Sequence, residues 1–307
     1  MSLQKNILLL FYLIGFFYLT PLYCQSPGAE NVEVLNMIFS KKIFPNVDYR
    51  DAVASIEIWT KELLPEVTSK YSLNNIFIDG VDNVDRKFID QNVSFMVLSA
   101  FEFVHNQEKL NNLIPILVSS DDKGIIGIEY IILVHNKSNI NSLKDLRNKT
   151  ITFVDDYSNA IPRLWLNVLL KSEGLGLANK FFKKVIITPN ANQAILKTFF
   201  QQVDACIIPE KLLETSIELN PQLESNLVIL KQSLPYTAGV FCVNKKIKGS
   251  TRADFLKSAK IATETERGKQ IALFFRSKDI IDFKAEYFDT IKSLIEQAKK
   301  LNIKITD

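Results

Sequence analysis

Asn139-Ile140-Asn141-Ser142-Leu143-Lys144-Asp145-Leu146-Arg147-Asn148-Lys149-Thr150-Ile151-Thr152-Phe153 is the stretch that decides the fold. A capped short helix runs directly into an apolar, β-branched strand, Thr150 to Val154. Downstream the same alternation repeats. Residues 160–172 carry Leu164, Trp165, Val168 and Leu169 at helical spacing, and Val185 to Thr188 reads as a strand. A helix over 191–200, a strand over 204–208, a helix over 209–219 and a strand over 227–230 follow. Strands that alternate with helices of this length specify an α/β fold with mostly parallel sheets.

The segment before this stretch has the same character. Val32 to Phe39 is a strand, and Asp48 caps a helix with Ala52, Ile56, Trp59, Leu63 and Leu64 on one face. Asn75 to Ile78, Val93 to Leu98, Leu113 to Ser119 and Ile126 to His135 complete the strands. After Tyr236 to Asn244 come three helical segments, near 250–262, 264–275 and 285–301, with no strand of their own. They are expected to pack back on the first half. The chain then crosses between lobes near 135–140 and 232–238. The first lobe comprises residues 26–136 plus 236–307, and the second 137–235. Two such crossings form a hinge, and hinged α/β lobes close around ligands.

The chain's 307 residues suit two domains. A formal charge of +3, from 37 basic and 34 acidic residues, leaves no electrostatic footprint for nucleic acid. His105 and His135 are the only histidines and have no partners at metal-ligand spacing, so neither a metal site nor a cofactor is expected. No nucleophile stands beside a base, which argues against an enzyme. Lys5 followed by the apolar run Ile7 to Leu19 and then Pro21 reads as a secretory signal or an N-terminal anchor over residues 1–25. The run is short for a membrane span. Cys24 sits where a lipidated cysteine could, although Tyr23 is bulky for that position. Location is therefore periplasmic or otherwise extracytoplasmic, with tethering through the N-terminus left open. Cys206 and Cys242 lie in apolar strands and read either as small buried hydrophobes or as a disulfide pair.

Four stretches carry a resemblance to a known family: Tyr130 to Ile140, Ser142 to Lys149 with its strand, Asp155 to Leu170, and Asn192 to Cys206. They resemble the phosphate/phosphite/phosphonate-binding proteins of ATP-driven uptake systems, which have the type-2 periplasmic binding fold. The resemblance implies a monomeric extracytoplasmic solute-binding protein of an ABC-type uptake system. It would hold a small oxyanion such as phosphate or a phosphonate between its lobes and deliver it to a permease. The same fold also serves as a ligand-sensing module, which would make the partner a membrane sensor.

In open α/β sheets ligands sit beyond the carboxyl ends of strands, and a helix start there favours an anion. Asp155-Asp156-Tyr157-Ser158-Asn159-Ala160 follows a strand and opens a helix. Ser158, Asn159 and the Ala160 backbone are therefore the candidate oxyanion grip, Ser158 serving equally as an N-cap. By resemblance Asp204 and Glu210 would read the rest of the ligand, with turn chemistry the other role for Asp204. Ser99 and Phe101 follow the Val93 to Leu98 strand at a pocket-facing position. Tyr130 would wall the pocket or pack in the core, and Asn192 would face the cleft or serve its turn.

Overall fold

The computed structural model describes residues 32–44, 48–62, 64–121, 124–154, 160–274 and 277–305. The N-terminal signal or anchor, Cys24, Ser158 and Asn159 lie outside the described residues. The fold described below lies within Val34–Asp307.

The first lobe begins with β1 (Val34–Ser40), α1 (Tyr49–Glu62), α2 (Pro65–Thr68), β2 (Ser72–Ile78), α3 (Arg86–Asn92), β3 (Phe95–Ser99), α4 (Ala100–His105) and β4 (Leu113–Ser120). The second comprises β5 (Tyr130–His135), β6 (Thr150–Val154), α5 (Ala160–Ser172), α6 (Ala178–Phe181), β7 (Lys184–Thr188), α7 (Ala191–Phe199), β8 (Ala205–Pro209), α8 (Glu210–Leu219), α9 (Gln222–Asn226) and β9 (Leu227–Gln232). The chain returns through β10 (Gly239–Asn244), α10 (Gly249–Glu264), α11 (Glu266–Phe274), β11 (Asp279–Asp282) and α12 (Asp289–Lys300).

The strands make a six-stranded sheet, β11-β4-β10-β3-β1-β2, and a five-stranded sheet, β7-β6-β8-β5-β9. In each lobe the strand that follows the crossing is the antiparallel insert: β10 between β3 and β4, and β5 between β8 and β9. This is the two-lobed α/β architecture expected from the alternation.

Two sequence expectations need correction. Tyr130–His135, read as the last strand of the first lobe, pairs with β8 and β9 in the second sheet. The first crossing therefore runs over 121–129, not 135–140. The continuous apolar run from Ile126 hid the break: Ile128 leaves the strand to pair with Tyr236 of the returning chain (N–H to O 2.8 and 3.0 Å). Gly127 makes that pairing possible. Its φ is +115°, and a Cβ there would meet the Tyr236 backbone at 2.9 Å. The second correction is β11, a strand beyond Asn244, which adds to β4 antiparallel through Asp279–Asp282. Its two apolar residues between aspartates give too short a pattern to read as a strand.

Strand alternation sorts the core into layers. Leu35, Met37 and Phe39 of β1, Phe95 and Val97 of β3, and Phe241 and Val243 of β10 share one face. That face packs under Ala52, Ile56 and Trp59 of α1, which recur at helical spacing, and Phe255 of α10. The opposite face, with Ile38, Met96, Leu98 and Val240, belongs to a core that continues into the second lobe through Ile132, Val134, Ile151 and Leu166. Ile291, Leu294 and Ile295 of α12 lie in that shared core, and α12 packs on both α4 and α5. The expectation that the C-terminal helices return to the first lobe therefore describes α10 and α11, while α12 joins both lobes.

Cys206 of β8 and Cys242 of β10 are free thiols buried in different sheets, which removes the disulfide reading. Burial pushes the Cys206 thiol up to about 12, against the opposing effect of its bond with Thr198, and pushes Cys242 up as well. In a Cys24→Ser chain, neither thiol is expected to react with an aromatic disulfide reagent at pH 8 until denaturant is added. Rapid labelling of the native protein would contradict this packing.

Candidate ligand-binding cleft

The carboxyl ends of β1, β3, β4 and β8 meet a cleft between the two sheets, with a volume of about 330 Å³. The antiparallel inserts enter it from their amino ends, because Gly239 is opposite Ser99 and Tyr130 opposite Pro209. The lobe-1 floor includes Phe39, Lys42, Ser99, Phe101 and Ser120. The lobe-2 wall includes Tyr130, Ala160, Ile161, Glu210 and Lys211. Gly127, Ile128 and Tyr236, the paired crossings, close its back.

Glu102 organises the floor. Its side chain is fully buried and accepts hydrogen bonds from the Ser40 hydroxyl (2.8 and 2.9 Å), the Val81 N–H (3.1 Å) and the Ser99 N–H (3.1 Å). Ser99 Oγ accepts in turn from the Glu102 N–H at 3.1 Å, completing a capping box at the start of α4. One carboxylate thus ties together the ends of β1 and β3 and the turn at Val81. The sequence reading does not single out Glu102, yet Ser99-x-x-Glu102 after a strand is a legible capping signal.

The start of α5 supplies backbone donor groups on the other wall. Ala160 is its first residue and borders the cleft. Pro162, in the first turn, removes a donor that the helix would have left unpaired anyway, so it costs the helix nothing. The N–H groups of Ala160 and Ile161 remain at the positive end of a 13-residue helix.

The charged side chains on the lining are unevenly signed: Asp121, Glu129, Glu210 and Glu214 against Lys42 and Lys211. Lys211 of α8 forms an ion pair with Asp121 at the end of β4, 3.2 Å apart, across the two lobes. Gln232 donates its amide to both Glu129 and Glu210. The Glu210 N–H also donates to the Glu129 carbonyl at 2.9 Å. Burial lifts the Tyr236 hydroxyl to about 12, so it stays neutral on the cleft wall at physiological pH.

The structure thus gathers Ser99, Phe101, Tyr130, Ala160 and Glu210 on one cleft. Phe101 is buried and stacks on His105 with centroids 5.7 Å apart. Tyr130 is buried as well, its N–H donating to Ser233 Oγ at 2.8 Å. Two candidates lie elsewhere. Asp204 precedes β8 at its amino end, about 16 Å of strand from the cleft edge at Pro209. There it accepts from the Thr150 N–H and hydroxyl, both at 2.7 Å, which is the turn role. Asn192 accepts from Ser216 Oγ at 3.2 Å and holds α7 against α8. Lys42, Asp121, Glu129 and Lys211 also line the cleft without any sequence signal, because their places follow from the end of β1, the crossing between the lobes and the first turn of α8.

No group of three or more His, Cys, Asp or Glu residues that could hold a metal occurs among the described residues. No helix among them is long and apolar enough to cross a membrane.

The profile of the family described as "ABC transporter, phosphonate, periplasmic substrate-binding protein" matches residues 45–285. The chain belongs to this family. The family is one of substrate-binding transport proteins, not of enzymes, and its location is extracytoplasmic. A search of curated proteins finds no matching sequence. Among solved structures, a Xanthomonas citri protein bound to ATP superposes with a TM-score of 0.62 at 10% identity, over 88% of this chain and 98% of that one. PhnD1 of Prochlorococcus marinus in complex with methylphosphonate gives 0.61 at 18%, over 88% and 98%. The periplasmic aliphatic sulphonate binding protein SsuA of Escherichia coli gives 0.53 at 14%, over 88% and 93%. These likenesses carry the fold, the type-2 periplasmic binding architecture, and their ligands differ from one another.

Proposed function

We propose that this chain binds a phosphonate-class oxyanion in the interlobe cleft and delivers it to the permease of an ABC-type uptake system. The observation that carries the reading is the start of α5 opening on the cleft beyond β6, in a chain of the phosphonate-binding family. The Ala160 and Ile161 N–H groups grip the oxyanion. Ser158 and Asn159, outside the described residues, belong to the same grip in this reading. The rest of the ligand extends from the α5 N–H groups into the same cleft. The Lys211–Asp121 pair holds the lobes together around it.

The test is Ala160→Glu. A carboxylate in the first turn suits the helix dipole, so the unliganded thermal midpoint should not fall. The same charge faces the incoming oxyanion, and affinity should drop about 100-fold or more. In the parent protein, a ligand at a thousand times its dissociation constant adds roughly 4 kcal/mol, a rise of several degrees. Undiminished ligand stabilisation in Ala160→Glu would move the oxyanion away from α5. A parent midpoint unmoved by every phosphonate would remove the assignment itself.

A further inference from the structure

The cleft does not end at the edge of the lobe-1 sheet. The same cavity continues onto the face carrying Phe39, Val97 and Phe241, beneath Ile56 and Trp59 of α1 and Ala272 of α11. None of these six side chains can hydrogen-bond through a charged group, and the tryptophan indole is their only polar function. The charged lining residues come instead from the segment after β1, the crossing between the lobes and α8. The cavity is therefore amphipathic, with a polar mouth between the lobes and an apolar chamber inside lobe 1. A tetrahedral oxyanion on the α5 N–H groups can occupy the mouth alone. An apolar cavity left empty costs stability that an apolar guest restores.

We infer that the chamber takes the hydrocarbon substituent of the ligand. The preferred substrate is then an oxyanion carrying an alkyl chain of several carbons or an aryl ring, not an inorganic or one-carbon oxyanion. This inference rests on the oxyanion reading above.

The experiment is calorimetric titration of the full chain with methyl-, butyl-, hexyl- and octylphosphonate, with octyl sulfonate and 1-octanol beside them. Affinity should rise about fourfold for each methylene until the chamber is full, the equivalent of ~0.8 kcal/mol per buried methylene. Ala272→Phe, at a half-buried position with the cavity in front of it, should abolish the rise and leave methylphosphonate binding unchanged. Ile280→Trp fills the chamber from the short edge strand instead, should α11 not tolerate the larger ring. Equal affinity along the series, with methylphosphonate bound, overturns the chamber and leaves the oxyanion reading standing. Equal binding of octylphosphonate and 1-octanol keeps the chamber and overturns the oxyanion reading. No binding by any compound overturns both.

Discussion

Replacing Glu102 by leucine is expected to cost about 3 kcal/mol or more of folding stability. The substitution removes the acceptor for two buried backbone N–H groups, those of Val81 and Ser99, and for the Ser40 hydroxyl. A buried donor left unpaired costs about 1–3 kcal/mol, and here none of the three can turn to water without opening the end of β1, the end of β3 or the turn at Val81. At roughly 2–4 °C per kcal/mol, the thermal midpoint should fall by about 6 °C or more. Glu102→Gln is expected to lie between the two, because one amide oxygen cannot replace two carboxylate oxygens and the amide N–H₂ opposes a backbone donor. Urea unfolding checks this: the midpoint should fall with an unchanged slope. A Glu102→Leu protein within 0.5 kcal/mol of the parent would show that the network contributes nothing to the floor. Since Ser40, Ser99 and the turn at Val81 form that floor, ligand affinity should weaken even where the variant remains folded.

Leu294→Ala is expected to destabilise both lobes together, by about 2–5 kcal/mol. Leu294 lies in the core that α12 shares with α4 and α5, and it is 3% exposed. Further bonds seat the same C-terminal segment: the Thr290 hydroxyl donates to the Pro235 carbonyl at 2.8 Å, and Lys171 of α5 donates to the Leu301 carbonyl. The two tryptophans give a readout for each lobe, Trp59 on α1 and Trp165 on α5. Single-tryptophan chains should unfold at one denaturant midpoint in the parent and shift equally in Leu294→Ala. A shift confined to Trp59 or to Trp165 would mean that α12 serves only one lobe.

The polar mouth and the apolar chamber also bear on specificity. Burial of hydrocarbon rewards chain length, whereas N–H groups at a helix start reward charge. Joining both in one cavity lets affinity depend on both ends of the ligand, which neither contact achieves alone.

Much of the architecture is legible in the amino-acid sequence because it is written in local periodicity. The short helix before Thr150, the apolar strands and the helical faces of α1 and α5 each report their own environment within a few residues. The family is legible too, since its motifs are contiguous, and Ala160 and Ser99 follow from their places after strands. The Ser99-x-x-Glu102 box was equally local and could have been read. Other features were settled by tertiary structure alone. The Tyr130–His135 strand belongs to the second sheet because Ile128 pairs with Tyr236, a partner 108 positions away, and no pattern within either segment signals that bond. Asp204 and Glu210 lie six residues apart and read alike as acidic turn residues, yet β8 separates them, sending one to the far end of the sheet and the other to the cleft. The chamber has no sequence signature either. Phe39, Trp59 and Phe241 look like ordinary core residues, and only the way α1 and α11 sit over the sheet leaves space between them.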